Sequence, residues 1–158
     1  MKAIRVDGEW ARAGVYYVRT EAMVFGFGVS LEGEFSDDGR DSEYVLVVDD
    51  RGKPVSTNRL HFLPDRGFAK IERVVTLESY RGRGAARLGI EEAERWIKER
   101  GYSKIVITSR EEVTRFYEKL GYRVRPDMSA VTLEKKGLGE ETQPDDKRFI
   151  CVYMEKEI

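Results

Sequence analysis

Two glycines set in a basic turn, Arg81-Gly82-Arg83-Gly84-Ala85-Ala86, stand between a β-rich run and an amphipathic helical run. The run before them contains Ile71-Glu72-Arg73-Val74-Val75-Thr76-Leu77; the run after them extends from Leu88 to Arg100. A strand that passes through glycines directly into a helix leaves the first helical N–H groups without partners. The helix dipole adds positive partial charge at the same place. Such a turn is a site for phosphate groups, so the chain is expected to bind a phosphorylated ligand.

The remaining composition narrows the possibilities. A length of 158 residues fits one domain, residues 1–158, with its own core. Hydrophobic residues make up 41% and charged residues 36%, the balance of a globular protein with a heavily charged surface. A formal net charge of −1 gives no overall field toward nucleic acid or a membrane. No apolar run approaches the roughly 20 residues that span a bilayer, and the first residues lack the apolar stretch of a signal peptide. Cys151 is the sole cysteine, so no intrachain disulfide forms, and a cytoplasmic location is expected. With one histidine and one cysteine there is no typical zinc site, and no metal is expected. A serine hydrolase would have to use His61 and lacks a Gly-x-Ser-x-Gly elbow. A Cys151–His61 nucleophilic pair is not favoured, and Cys151 reads as a small buried apolar residue.

Periodicity gives an element order. A first strand covers Ala3 to Val6, and residues 9–27 read as a helix through Val15, Val18, Ala22 and Phe25, although Gly14 weakens it. Residues 32–43 form an acidic loop. Tyr44 to Val48, Pro54 to Phe62 and Phe68 to Leu77 read as three antiparallel strands joined by Asp-Arg-Gly turns. The helix after the glycine turn ends at Gly101, and Lys104 to Thr108 is a short buried strand. Ser109 with Glu112 fits a capping box opening a helix with Val113, Phe116, Tyr117 and Leu120. Tyr122 to Arg125 begins another strand, 136–146 is a polar loop, and Phe149 to Lys156 is a final strand. The expected fold is a single α/β domain. Its mixed, mostly antiparallel twisted sheet has six to seven strands, flanking helices and a central β-α-β unit.

On these residues the chain resembles the GNAT N-acetyltransferases. Arg81-Gly82-Arg83-Gly84-Ala85-Ala86 matches the family signature [Gln/Arg]-x-x-Gly-x-[Gly/Ala], after a strand ending Val-Val-Thr-Leu-Glu-Ser-Tyr. Phe116-Tyr117-Glu118-Lys119-Leu120-Gly121-Tyr122 is similar to the family's Phe-Tyr-Glu-Lys-Leu-Gly-[Phe/Tyr] segment, at the family spacing. The resemblance is firm from about residue 44 to 125. Val24-Phe25, Glu34-Phe35 and Pro54 to Leu60 resemble a small bacterial single-domain subgroup, from whose Glu-[Phe/Ile]-Asp pattern Ser36 departs. A P-loop lacks its Gly-Lys-[Ser/Thr], and a dinucleotide fingerprint lacks its third glycine at Arg87.

The resemblance implies acetyl-CoA as acetyl donor and no metal. Amides of Gly82, Arg83, Gly84, Ala85, Ala86 and Arg87 would cradle its pyrophosphate, with charge added by Arg81 and Arg83. Backbone groups near Val75, Thr76 and Leu77 would pair with the pantetheine arm like an added strand, and a strand N–H would polarise the thioester carbonyl. Arg110 stands where many members carry Asn or Gln against the cofactor arm. Tyr117 matches the residue that protonates the departing sulfur; by periodicity alone it reads as a core aromatic four residues after Val113. Alternation places Glu72, Val74 and Thr76 on one strand face, and Glu72 is the leading base, against a plain salt-bridge role of equal weight. Glu34, Asp37 and Asp38 could attract a cationic amine, though a solvated loop is the commoner reason for such a run.

The expected reaction is direct transfer of acetyl from acetyl-CoA to a primary amine of a small molecule or peptide. The alternative is a non-catalytic acyl-CoA-binding regulatory module. Nucleic-acid binding through Arg81, Arg83, Arg87 and Arg95 ranks far lower, because Glu91, Glu92 and Glu94 interrupt that face, and no membrane partner is expected. The apolar Phe149 to Met154 run suits either a homodimer contact or plain core.

Overall fold

The structure, a computed structural model, describes residues 1–125, 131–134 and 148–158, with 131–134 as backbone. β1 (Lys2–Arg5) leads into α1 (Glu9–Arg19), which continues as a wide π-helical turn over Thr20–Phe25. A short α2 (Leu31–Phe35) follows, then the strands β2 (Glu43–Val48), β3 (Pro54–Leu63) and β4 (Phe68–Thr76). After the glycine turn come α3 (Ala85–Glu99), β5 (Lys104–Arg110), α4 (Thr114–Glu118), β6 (Arg123–Val124), β7 (Val131–Glu134) and β8 (Arg148–Glu157).

These strands form one sheet in the order β1-β2-β3-β4-β5-β8-β6, with β7 on β8. β4 and β5 are parallel, joined through α3, and every other pair is antiparallel. The mixed, mostly antiparallel sheet with its β-α-β unit is the expected one; β7 takes the strand number to eight, beyond the expected six to seven.

Apolar spacing explains which face each helix buries. α1 lays Ala11, Val15 and Val18 on Tyr44, Leu46 and Val48 of β2. Gly14, which weakens the helix as a propensity, is what lets α1 lie close. A Cβ there would meet Leu46 Cδ2 at 2.8 Å and Pro54 Cγ at 3.0 Å. On the other face α3 sets Ile90, Ala93 and Ile97 against Val45, Leu60, Ile71 and Ile105. Each fully buried aliphatic side chain contributes about 1.5–3 kcal/mol.

Four local expectations change. The capping box does not form: Ser109 belongs to β5 and its hydroxyl donates to the Arg110 carbonyl, while the following helix opens as a 3-10 turn over Glu111–Val113. The acidic stretch 32–43 is not a solvated loop; it contains α2 and turns Glu34 into the core at 1% exposure. The C-terminal strand has partners on both edges, β5 on one and β6 and β7 on the other, so that strand is committed within the chain. Glu72 and Val74 do not share a face, for a reason given below. The expected polar loop over 136–146 lies outside the described residues.

Candidate active site

β4 and β5 pair only at Ala69–Ile105, Lys70–Val106 and Ile71–Ile107, although β4 runs on to Thr76 and β5 to Arg110. Just beyond the last pair, Arg73 has φ +51°, the sole positive value at a non-glycine among the described residues. Across from it, β3 pairs Arg59 with Glu72 and Thr57 with Val75, so Arg73 and Val74 together oppose Asn58. This is a β-bulge, and a bulge bends its strand. It also inverts the alternation: Ile71 and Val74 both pack into the core beneath α3, whereas Glu72 faces the other way. A left-handed residue costs about 1–2 kcal/mol, strain of the kind concentrated at functional sites. The two strands diverge and a cleft of about 620 Å³ opens between them.

The glycine turn closes one end of this cleft. Gly82 and Gly84 have φ +72° and +84°, a conformation that side chains resist, and a Cβ on either would meet no atom of the protein within 4 Å. The space before them is therefore open to a ligand. The N–H groups of Arg81 and Arg83 are spent inside the turn on Glu78 and Tyr80 carbonyls. The first bond of α3 runs from Leu88 to Gly84, and no side chain caps the helix. The amides of Ala85, Ala86 and Arg87 thus point, unpaired, from a helix N-terminus into the cleft.

Tyr117 and Arg110 stand on the β5–α4 side. Tyr117 is 6% exposed, lines the cleft and packs edge-on against Phe116 and Tyr122. Burial pushes its phenol well above the ordinary value against an opposing influence from Arg110, so the group holds its proton. Arg110 lies 4.6 Å over the Phe27 ring and 5.8 Å from Phe149, with Glu112 at 3.0 Å.

The opposite wall carries a buried ion network. Arg19, 0% exposed, donates from Nε to Glu34 Oε1 at 2.9 Å and from Nη2 to the Glu34 carbonyl at 2.8 Å, and also pairs with Asp38. Arg59 pairs with Asp38, with Asp37 at 3.1 Å and with Glu72 at 2.8 Å. Arg73 reaches Asp37 at 3.0 Å, Lys70 reaches Glu72 at 3.0 Å, and Tyr44 donates to Asp38 at 2.6 Å. Burial alone would raise the Glu72 pKa; hydrogen bonds from Lys70 and Arg59 overcome it and hold the carboxyl below its usual range. Glu72 lines both the cleft and a second groove of about 780 Å³ on the far side of Arg59. His61 Nδ1 lies 3.8 Å from Glu72 at that groove.

Most of the residues expected at the site come together. Glu72, Val75, Thr76, Arg81, Gly82, Gly84, Ala85, Ala86, Arg87, Arg110 and Tyr117 all line the cleft. Leu77 and Arg83 do not. The Leu77 side chain is buried with α1 and its N–H is bonded to Val55, while Arg83 stacks 5.2 Å from the Tyr80 ring. Glu34, Asp37 and Asp38 are each paired with arginines rather than left as free negative charge. Sequence reasoning missed Ala22, Met23, Phe27, Arg73 and Phe149 on the cleft wall. It also missed Arg19, although an arginine one residue after Val18 in an apolar-faced helix, with a run of acids close downstream, is a legible signal of a buried pair. Among the described residues no cluster of His, Cys, Asp and Glu could hold a metal, and no helix is long and apolar enough to cross a membrane.

Comparison with known proteins agrees with this geometry. The sequence model of the acetyltransferase (GNAT) family matches residues 12–122. The uncharacterized N-acetyltransferase YjcF of Bacillus subtilis (strain 168) is 31% identical over 124 residues, covering 78% of this chain and 86% of its own. The crystal structure of an N-acetyltransferase from Lactobacillus plantarum superposes with a TM-score of 0.80 at 29% identity, over 99% of this chain and 97% of that one. An aminoglycoside 6'-N-acetyltransferase complexed with coenzyme A shares the fold, with a TM-score of 0.70 at 15% identity over 99% and 97% of the two chains. A parted β4–β5 pair, an uncapped α3 and a family match through both belong together: the chain is a member of the GNAT family, an N-acetyltransferase that uses acetyl-CoA.

Proposed function

We propose that this enzyme transfers acetyl directly to a primary amine while both substrates occupy the cleft between β4 and β5. The observation that carries the reading is the continuity of one cavity from the unpaired amides of α3, past the free edge of β4, to the Tyr117 phenol. A helix N-terminus with open space before its glycines fits a pyrophosphate, and a strand edge without a partner fits an amide-bearing arm. Acetyl-CoA supplies the acyl group as an activated thioester.

The chain's own residues divide the remaining work. Amides of Ala85, Ala86 and Arg87, with Gly82 and Gly84 allowing close approach, bind the phosphates, and Arg81 and Arg110 add positive charge at the cleft wall. Val75 and Thr76 present backbone groups to the arm, and a cleft-side N–H of β4 polarises the thioester carbonyl. As the amine nitrogen bonds to the carbonyl carbon and the carbon–sulfur bond breaks, Tyr117 donates a hydrogen bond to the departing sulfur, which leaves as a thiolate. A phenol that stays protonated across the working pH range keeps that donor in place. Glu72 receives the proton lost by nitrogen. Its lowered proton affinity makes it a brief carrier, and its second face on the outer groove, beside His61, gives the proton a way out to water.

The test is release of free thiol from acetyl-CoA with a panel of primary amines, tertiary amines and alcohols. Release that depends on a primary amine supports the reading; binding of acetyl-CoA without release for any amine contradicts it.

A further inference from the structure

One atom of the cleft wall is left over when every hydrogen bond of the ion network is counted. Glu34 is 1% exposed and lines the cleft, and its Oε2 is buried with no hydrogen-bond partner among the described residues. Its other oxygen and its own carbonyl are both taken by Arg19. Arg73 Nη1 forms an ion pair with Oε2 only at 3.7 Å, beyond hydrogen-bond length, and that guanidinium is engaged with Asp37 at 3.0 Å. A buried carboxylate oxygen with nothing to accept from costs more than almost any other polar defect, so a site that keeps one has a use for it.

We propose that Glu34 Oε2 is the recognition point for the acceptor, taking a hydrogen bond from the N–H of a primary amine carried on an apolar, aryl- or alkyl-sized body. The inference rests on the amine-acetylation reading above and names the substrate class for that same cleft. The body follows from the apolar part of the cleft lining, which includes Ala22, Met23, Phe27, Phe116 and Phe149. The form in which the amine is held follows from charge. In the network the carboxylates Glu34, Asp37, Asp38 and Glu72 are matched one for one by Arg19, Arg59, Arg73 and Lys70. A balanced network gives an ammonium no net attraction, whereas a neutral amine can donate one N–H to Oε2 and keep its lone pair free for attack. Arg19 fixes the carboxylate through its other oxygen, so the orientation of Oε2 is set before the amine arrives.

Calorimetric titration tests this with two probes at about pH 10, the amine's affinity being referred to its neutral fraction: phenethylamine, and 2-phenylethyl methyl ether, which has a like body and no N–H. Coenzyme A is titrated separately. The wild-type protein is expected to bind the amine at least ten-fold tighter than the ether. In Glu34→Gln, Arg19 retains the carbonyl oxygen and an NH2 replaces Oε2, so the preference should fall below two-fold with coenzyme A affinity unchanged. Glu34→Asp, which keeps the charge but withdraws the oxygen, should lose the preference as well and serves if the glutamine variant does not fold. Equal affinity for the two probes on the wild-type protein, or a preference that survives in a folded variant, overturns the assignment. Absence of coenzyme A binding would instead strike at the transfer reading, and the amine–ether comparison on the wild-type protein would still decide the role of Glu34.

Discussion

Arg59 Nη2 lies 2.8 Å from Glu72 Oε2, which joins a residue lining both the β4–β5 cleft and the outer groove, Glu72, to one lining the outer groove, Arg59. Lys70 holds the other carboxylate oxygen at 3.0 Å, so Glu72 is fixed from two sides. If Glu72 carries the amine's proton outward, Glu72→Gln should lower kcat by about 10²-fold. It should leave the KM for acetyl-CoA unchanged and, because Glu72 titrates below the ordinary carboxylate range, leave the shape of the pH–rate profile above about pH 5 unchanged. An unchanged kcat would show that Glu72 is structural and that water takes the proton.

The same network sets the acid limit of stability. Asp37, Asp38 and Glu72 each titrate below the ordinary range in the folded protein: burial raises each one, and arginine or lysine hydrogen bonds outweigh it. A depressed folded pKa gives stability that is complete above the unfolded value of about 4 and is lost as pH falls through the folded one. The melting temperature should therefore be level from pH 7 to about 5 and fall steeply below about 4. Arg59→Leu should cost about 1–3 kcal/mol at pH 7, because Asp37, Asp38 and Glu72 each lose one of two cationic partners, and should flatten the acid fall. Thermal melts across pH measure both.

Tyr117→Phe should separate chemistry from binding. Among the described residues no hydrogen bond uses the Tyr117 hydroxyl, so its loss should change stability by less than about 1 kcal/mol. Turnover should fall by about 10²-fold while the acetyl-CoA dissociation constant holds. Burial keeps the phenol protonated, so the wild-type rate should show no alkaline decline from this group. Unchanged turnover in the variant would make Tyr117 a core aromatic.

Gly14→Ala sets two effects against each other. Alanine favours a helix interior over glycine by about 1 kcal/mol. The new methyl would meet Leu46 at 2.8 Å and the less yielding Pro54 ring at 3.0 Å, and overpacking costs about 1–3 kcal/mol. We expect net destabilisation of about 1 kcal/mol, a drop of about 2–4 °C in melting temperature. A gain in melting temperature would mean that α1 can lift from β2 at no cost.

The order of elements was legible because it rests on local patterns: alternation in β2 to β4, the 3.6-residue period of α1 and α3, and glycines at the turns. The glycine turn and the place of Tyr117 on the cleft wall were legible because their motifs fall at fixed places on the elements, the turn just before α3 and the tyrosine in α4 after β5. What could not be read were consequences of pairing across the sheet. The bulge at Arg73 arises from the register between β3 and β4, with no glycine or proline to announce it, and it reverses the faces on which Val74 and Thr76 were placed. Leu77 and Arg83 lie within the right segment, but a backbone bond to Val55 and stacking on Tyr80 turn them elsewhere. The acidic residues near Asp38 were visible; that Arg19, Arg59 and Arg73 neutralise them depends on α1, β3 and β4 meeting α2.

The central claim is that the uncapped start of α3 holds the pyrophosphate of the acetyl donor, and calorimetric titration of coenzyme A into the wild-type protein and Gly84→Glu tests it most directly. Gly84 has open space before it, so the substitution places a carboxylate where phosphate is expected, at a folding cost of about 1–2 kcal/mol from its left-handed backbone. The account predicts micromolar binding by the wild-type protein, with ATP far weaker, and no detectable binding by a folded Gly84→Glu. Equal affinity of the two proteins for coenzyme A would contradict it.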